Sequence, residues 1–67
     1  MQERNHTLIG TNGDRELWRS EIRQPDNQWT TIYRGIGFVY VQGVRKQTPE
    51  DHAWPGEAEA QAWLIQG

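Results

Sequence analysis

Arg15, Arg19 and Arg23 recur at every fourth residue, and Arg34 follows downstream. In an extended strand an even spacing projects side chains from one face. The three guanidiniums therefore form a stripe. Guanidinium is a planar donor fork that suits phosphate, carboxylate or the edge of guanine. Trp54 is the second feature with chemical potential. It stands in an irregular His52–Pro55 segment, and tryptophan, tyrosine and arginine dominate binding hot spots. The candidate binding set is Arg15, Arg19, Arg23, Arg34 and Trp54. An ordinary solvated sheet face, and a tryptophan plugging the end of the core, are the plainer readings of the same residues.

Other reactive types carry less. His6 and His52 are the only histidines, and cysteine is absent. A zinc site of about four ligands would need carboxylates such as Glu50 or Asp51 to complete it. Ser20 is the only serine, with no histidine placed to activate it. Glu50 and Asp51 read more simply as a helix start than as an acid–base pair. Gly35-x-Gly37 lacks the third glycine and following helix of a dinucleotide fingerprint, so a strand bulge is expected there. We expect no enzyme activity, no metal and no cofactor.

These residues need a scaffold of 67 residues without a disulfide. So short a chain buries only about 60% of its unfolded surface. Trp18, Trp29, Trp54 and Trp63 supply the bulk for a small core. Asn12-Gly13 reads as a two-residue hairpin loop, which would set Leu8 opposite Leu17 and Thr7 opposite Trp18. Pro25-Asp26-Asn27-Gln28 reads as the second loop, pairing Gln24 with Trp29, Ser20 with Tyr33 and Trp18 with Gly35. Arg34 then stands opposite Arg19. On this register Ile9, Trp18, Ile22, Trp29 and Tyr33 share the buried face. The arginines, with Leu17 and Ile32, share the other. Ile36 to Val41 is apolar on both sides, so it is expected to be central or covered. Gln42-Gly43 is a further turn.

Thr48-Pro49-Glu50-Asp51 reads as a capped helix start. Pro55-Gly56-Glu57 restarts a helix that runs to about Gln66. Its stripes are Ala58, Ala62, Ile65 and, roughly opposite, Ala60, Trp63, Leu64. One should lie on the sheet, and the other needs a cover or a partner, which makes a homodimer through this helix a candidate. All seven basic residues and five of the nine acids lie in residues 1–46, so the pattern is a mildly basic sheet followed by an acidic helix.

The fold class expected is α+β: one domain over 1–67, an antiparallel β-meander of three to four strands with one C-terminal α-helix packed on one face. In outline this is similar to the N-terminal arm-type DNA-binding domain of tyrosine integrases. The segment Glu57-Ala58-Glu59-Ala60-Gln61-Ala62-Trp63-Leu64 also resembles the helices that close such units. The resemblance implies a sheet entering the major groove, with Arg15, Arg19, Arg23 and Arg34 on phosphates or guanine edges. Against it, nucleic-acid modules are usually strongly basic, whereas this chain has a net charge of −2. The function expected is therefore a small protein-binding or inhibitory module of the size and charge class of bacterial and phage accessory proteins. Duplex-DNA binding and a purely structural domain are the alternatives. The polar MQERNHT start and the lack of a long apolar run predict a cytoplasmic chain with no membrane partner.

Overall fold

Four turn-forming segments divide the chain into strands and one helix. The computed structural model describes residues 2–66, and the side chains of residues 49–51 fall outside that description. The elements are β1 (Glu3–Asn12), β2 (Arg15–Arg23), β3 (Trp29–Val41), β4 (Val44–Trp54) and α1 (Glu57–Gln66). The strands form one antiparallel sheet in the order β1-β2-β3-β4. The α+β class and the meander with a C-terminal helix are as expected.

The loops differ from expectation in ways that matter. Asn12 pairs with Arg15, so Gly13-Asp14 is the first loop, with φ of 60° at Gly13. Glycine at the first central position is the mark of a type II′ turn. In the second loop the Asn27 N–H donates to the Gln24 carbonyl at 2.9 Å, and Asn27 has φ of 68°. A proline-led turn followed by a left-handed residue makes a three-residue loop, so Arg23, not Gln24, pairs with Trp29.

That single step reverses β3 against β2, because side chains alternate with a period of two. Trp18 pairs with Arg34, Arg19 with Tyr33, and Leu17 with Gly35. The expected burial face is therefore split. Trp29 and Tyr33 lie on the side of Leu17 and the arginines of β2. Trp18 and Ile22 lie on the opposite side with Arg34. Bulges in β1 between Arg4 and Thr7, and between Leu8 and Gly10, reset that strand as well.

β4 overturns a second expectation. The backbone of Thr48–Asp51 continues the strand and does not start a helix. Ile36 pairs with Asp51 and Phe38 with Gln47, so Gly37 alone faces residues 48–50. The bulge accepts Pro49, which has no N–H to give a ladder. Local capping chemistry lost to strand pairing. The charge boundary near Gln47 thus falls inside β4, not between sheet and helix.

The helix packs on the Leu17 side of the sheet. Leu17 and Ala60 are fully buried and Leu64 nearly so, with Ile9, Tyr33, Trp54 and Trp63 packed around them. Burying each leucine contributes roughly 2 kcal/mol. Gly35 lets the layers meet, since a Cβ there would lie 2.7 Å from the Trp63 ring and 2.9 Å from Trp54. Of the two helix stripes, Ala60, Trp63 and Leu64 face the sheet. Ala58, Ala62 and Ile65 face outward, with Ile65 75% exposed.

Candidate functional site

β2 stops at Arg15, which pairs with Gly37. β3 runs on to Val41 and turns back through Gln42-Gly43. Residues 38–47 therefore form a two-stranded ribbon beyond the body of the sheet, and the molecule extends 45 Å along its long axis against 23 and 17 Å across. Gln42 and Gly43 have φ of 53° and 79°. Positive φ at both central positions is a type I′ turn, the hairpin closure that glycine suits at its second place. Arg45 braces the base of the ribbon. Its guanidinium lies 3.7 Å from the Phe38 ring centroid and donates to Glu16 at 3.3 Å.

The tip is apolar and open. Val39, Tyr40, Val41 and Val44 are 46%, 62%, 48% and 56% exposed, four of the six large exposed hydrophobic residues described. Val41 pairs with Val44 and Val39 with Lys46 on one face; Tyr40 pairs with Arg45 on the other. Residues 37–47 contain no acid. The expectation of a covered segment through Val41 fails here, because β2 does not run beside β3 past Gly37 and β3 keeps only β4 as a neighbour. Sequence reasoning missed Tyr40 and Val44 as surface candidates. The available signal was the run of apolar residues on both sides of the Gln-Gly turn.

The predicted arginines separate. Arg15 donates from Nη1 to the Trp63 carbonyl at 2.6 Å, with its guanidinium carbon 4.6 Å from the Trp63 ring centroid. α1 has no basic residue in its last turn, so Arg15 brings a cation to that negative end of the helix from β2. The Asn12 amide donates to the Leu64 carbonyl at 2.7 Å beside it. Arg23 donates to the Asn27 side chain and steadies the second loop. Arg34 is on the opposite face. Arg19 is exposed on the helix side. Among the described residues it is the arginine with no hydrogen-bond or ring partner, although its charge acts on Glu21. The expected segregation of indoles from guanidiniums is overturned: Trp29 lies 3.7 Å beneath Arg4, and Trp63 lies beneath Arg15.

Trp54 closes the end of the core. It packs within 5.4 Å of Trp63, centroid to centroid, and His52 stacks on it at 5.7 Å and 4° while lying 5.3 Å from Trp63, so the three rings form one cluster. The plug reading therefore describes its position. The carboxyls of Glu50 and Asp51 lie outside the described residues.

A polar network crosses the face away from α1. Arg34 donates from Nε and Nη2 to the two oxygens of Glu3, each at 2.9 Å, and the buried Ser20 hydroxyl donates to Glu3 at 2.6 Å. The Arg34 hydrogen bond first, and the Ser20 hydroxyl second, hold the Glu3 carboxyl below its ordinary value. His6 stands 3.6 Å from the same carboxylate. A serine, a carboxylate and a histidine thus meet, but in the wrong order for nucleophilic catalysis. Ser20 gives its proton to a weakly basic, arginine-bound carboxylate, and the imidazole lies beyond it. Glu21 is also held low, chiefly by the Asn5 amide and then by the Arg4 charge. Among the described residues no helix is long and apolar enough to cross a membrane, and no three His, Cys, Asp or Glu side chains gather as a metal site.

No family model matches this chain, and no curated protein or solved structure is significantly similar to it.

Proposed function

We propose that the chain is a non-enzymatic recognition module for another protein, and that the β3–β4 ribbon is its reading element. The observation that carries this is the concentration of exposed apolar side chains at Val39, Tyr40, Val41 and Val44, on a tip supported by a type I′ turn. Isolated apolar residues on a surface are ordinary, whereas a cluster on a projecting element is a binding feature. Tyr40 offers a large rigid contact with a polar end, and Arg45 and Lys46 offer rim charges. The arginines of β2 have a lesser part, through Arg19. A cytoplasmic setting belongs to this same reading.

The test is affinity capture from the source cells with the wild-type chain, Tyr40→Ser, Val44→Ser and an Ile65→Ser control. A partner retained by the wild type and the control, and lost at least ~10-fold with either tip variant, is the expected result. Equal capture by all four chains would remove the ribbon from the proposal. Retention of duplex DNA by the wild type, falling steeply with salt, would put the DNA alternative in its place. Capture of nothing would leave the structural-domain reading.

A further inference from the structure

We propose that the sheet face turned away from α1 is the contact surface of a homodimer, in which two copies pack sheet to sheet. The Val39, Val41 and Val44 side of the ribbon tip faces away from this surface, whereas Tyr40 lies on the same side as Ile36.

The side chains of one sheet face have no second layer. Leu8 and Arg34 both pair with Trp18, Thr30 pairs with Ile22, and Ile36 with Glu16. Alternation along β3 adds Ile32 to the same side. Leu8, Trp18, Ile22, Ile32 and Ile36 thus share a face on which no helix lies, because α1 covers Leu17 and Gly35 on the other. A sheet face with this content ordinarily packs against another layer. Among the described residues the buried hydrophobic core on the helix side is Leu17, Ala60 and Leu64. A 67-residue chain without a disulfide has little stability to spare while Leu8 is 45% exposed and Trp18, Ile22, Ile32 and Ile36 are only partly buried.

Charge selects the occupant. The described ionic groups of this face are Glu3, Glu16, Arg34 and Arg45, two of each sign, with His6 beside Glu3, and they are already paired. Glu3 holds Arg34, and Glu16 accepts from the Trp18 indole at 3.1 Å and from Arg45 at 3.3 Å. A strongly charged partner gains little from described groups that already neutralise one another. A second copy meets no net like-charge repulsion from these described groups, and the prior pairing lowers the desolvation cost of closing two such faces. The size fits as well. The nine residues of β2 and a four-strand width span a face of roughly 600 Å². Two copies would then bury on the order of 1,200 Å², the lower bound for stable interfaces. Pairing through the sheet edges is a poorer route. β1 is broken by two bulges and a left-handed Asn5, and β4 by the bulge at residues 48–50. Such irregularities discourage strand addition.

The experiment is sedimentation equilibrium and thermal melting of the wild-type chain over about 1–100 µM, repeated with Leu8→Glu, Ile32→Glu and Ile65→Glu. The expected mass is twice the 7.8 kDa of one chain, with a Tm that rises with concentration. Leu8→Glu and Ile32→Glu should each raise the dimer dissociation constant at least ~10-fold, while Ile65→Glu leaves it unchanged. If Ile32→Glu fails to fold, Leu8→Glu still reads the face, since that position is already 45% exposed. A wild type that is monomeric throughout with a constant Tm would overturn the proposal. So would a dimer that survives both face variants but dissociates with Ile65→Glu, which would point to the helix. Val44→Ser tests the two surfaces separately, because Val44 lies on the other side of the ribbon and its loss should reduce partner capture without changing the mass.

Discussion

Arg34 and Glu3 join two strands that do not touch. The guanidinium on β3 reaches across β2 to the β1 carboxylate with two 2.9 Å hydrogen bonds. The Ser20 hydroxyl of the intervening strand donates to the same carboxylate. The pair therefore fixes the position of three strands at once.

This pair sets an acid limit on stability. The Glu3 carboxyl is held below its ordinary value in the folded chain, first by Arg34 and then by Ser20. A depressed folded pKa means stabilisation that is present above the unfolded value, near 4.5, and lost as pH falls through the folded value. Glu3→Gln should cost roughly 1 kcal/mol at pH 7, a modest figure because the pair is partly exposed. It should also flatten the decline in Tm below about pH 4.5. Melting curves from pH 3 to 7 check this. A parallel decline in both proteins would contradict it.

Gly35→Ala should be the most damaging single methyl in the sheet. The added Cβ would sit 2.7 Å from Trp63 and 2.9 Å from Trp54, both large rings with neighbours behind them. Overpacking of this kind costs about 1–3 kcal/mol. Urea unfolding, with near-ultraviolet circular dichroism for the tryptophans, measures it.

Two arginines of the same stripe should behave differently. Arg15→Ala removes the cation and donor at the end of α1 and should cost about 1–2 kcal/mol, with faster hydrogen exchange in the last helical turn. Arg19→Ala should change stability by less than about 0.5 kcal/mol. Equal losses would mean that the helix end does not depend on β2.

The ribbon turn offers a change in the opposite direction. Gln42→Asn creates the Asn-Gly pair that type I′ turns prefer, and should raise Tm by roughly 2–4 °C. Gly43→Ala places a Cβ at φ 79° and should cost about 1 kcal/mol. Exchange rates of the Val39 and Lys46 amides report the ribbon directly, and no change in either variant would deny the turn its role.

Much of this molecule was legible from residue types alone. Gly-Asp beside Asn12, Pro25 with Asp26 and Asn27, and Gln42-Gly43 all punctuate the chain where the strands reverse. Alternation in Arg15–Arg23 marks a strand, and Pro55-Gly56 before Glu57–Gln66 marks the helix. The bend expected at Gly35-Ile36-Gly37 is the bulge opposite residues 48–50, and β3 runs on through Val41. As for the candidate surfaces, the arginines were visible as a set, but the exposed tip was mistaken for a covered strand.

Local chemistry is enough to say that strands, turns and a last helix form, because propensity and turn geometry act over a few residues. It does not say which side each strand presents. One residue of loop length at Pro25–Asn27 decides whether Trp18 shares a face with Gly35 or with Arg34, and the bulges in β1 decide the side that Leu8 presents. The pairing of β4 with β3 likewise overrides the helix-start pattern at Thr48, because a long ladder outweighs one cap. Where β2 ends relative to β3 is also a matter of register, and that offset leaves Tyr40 in the open.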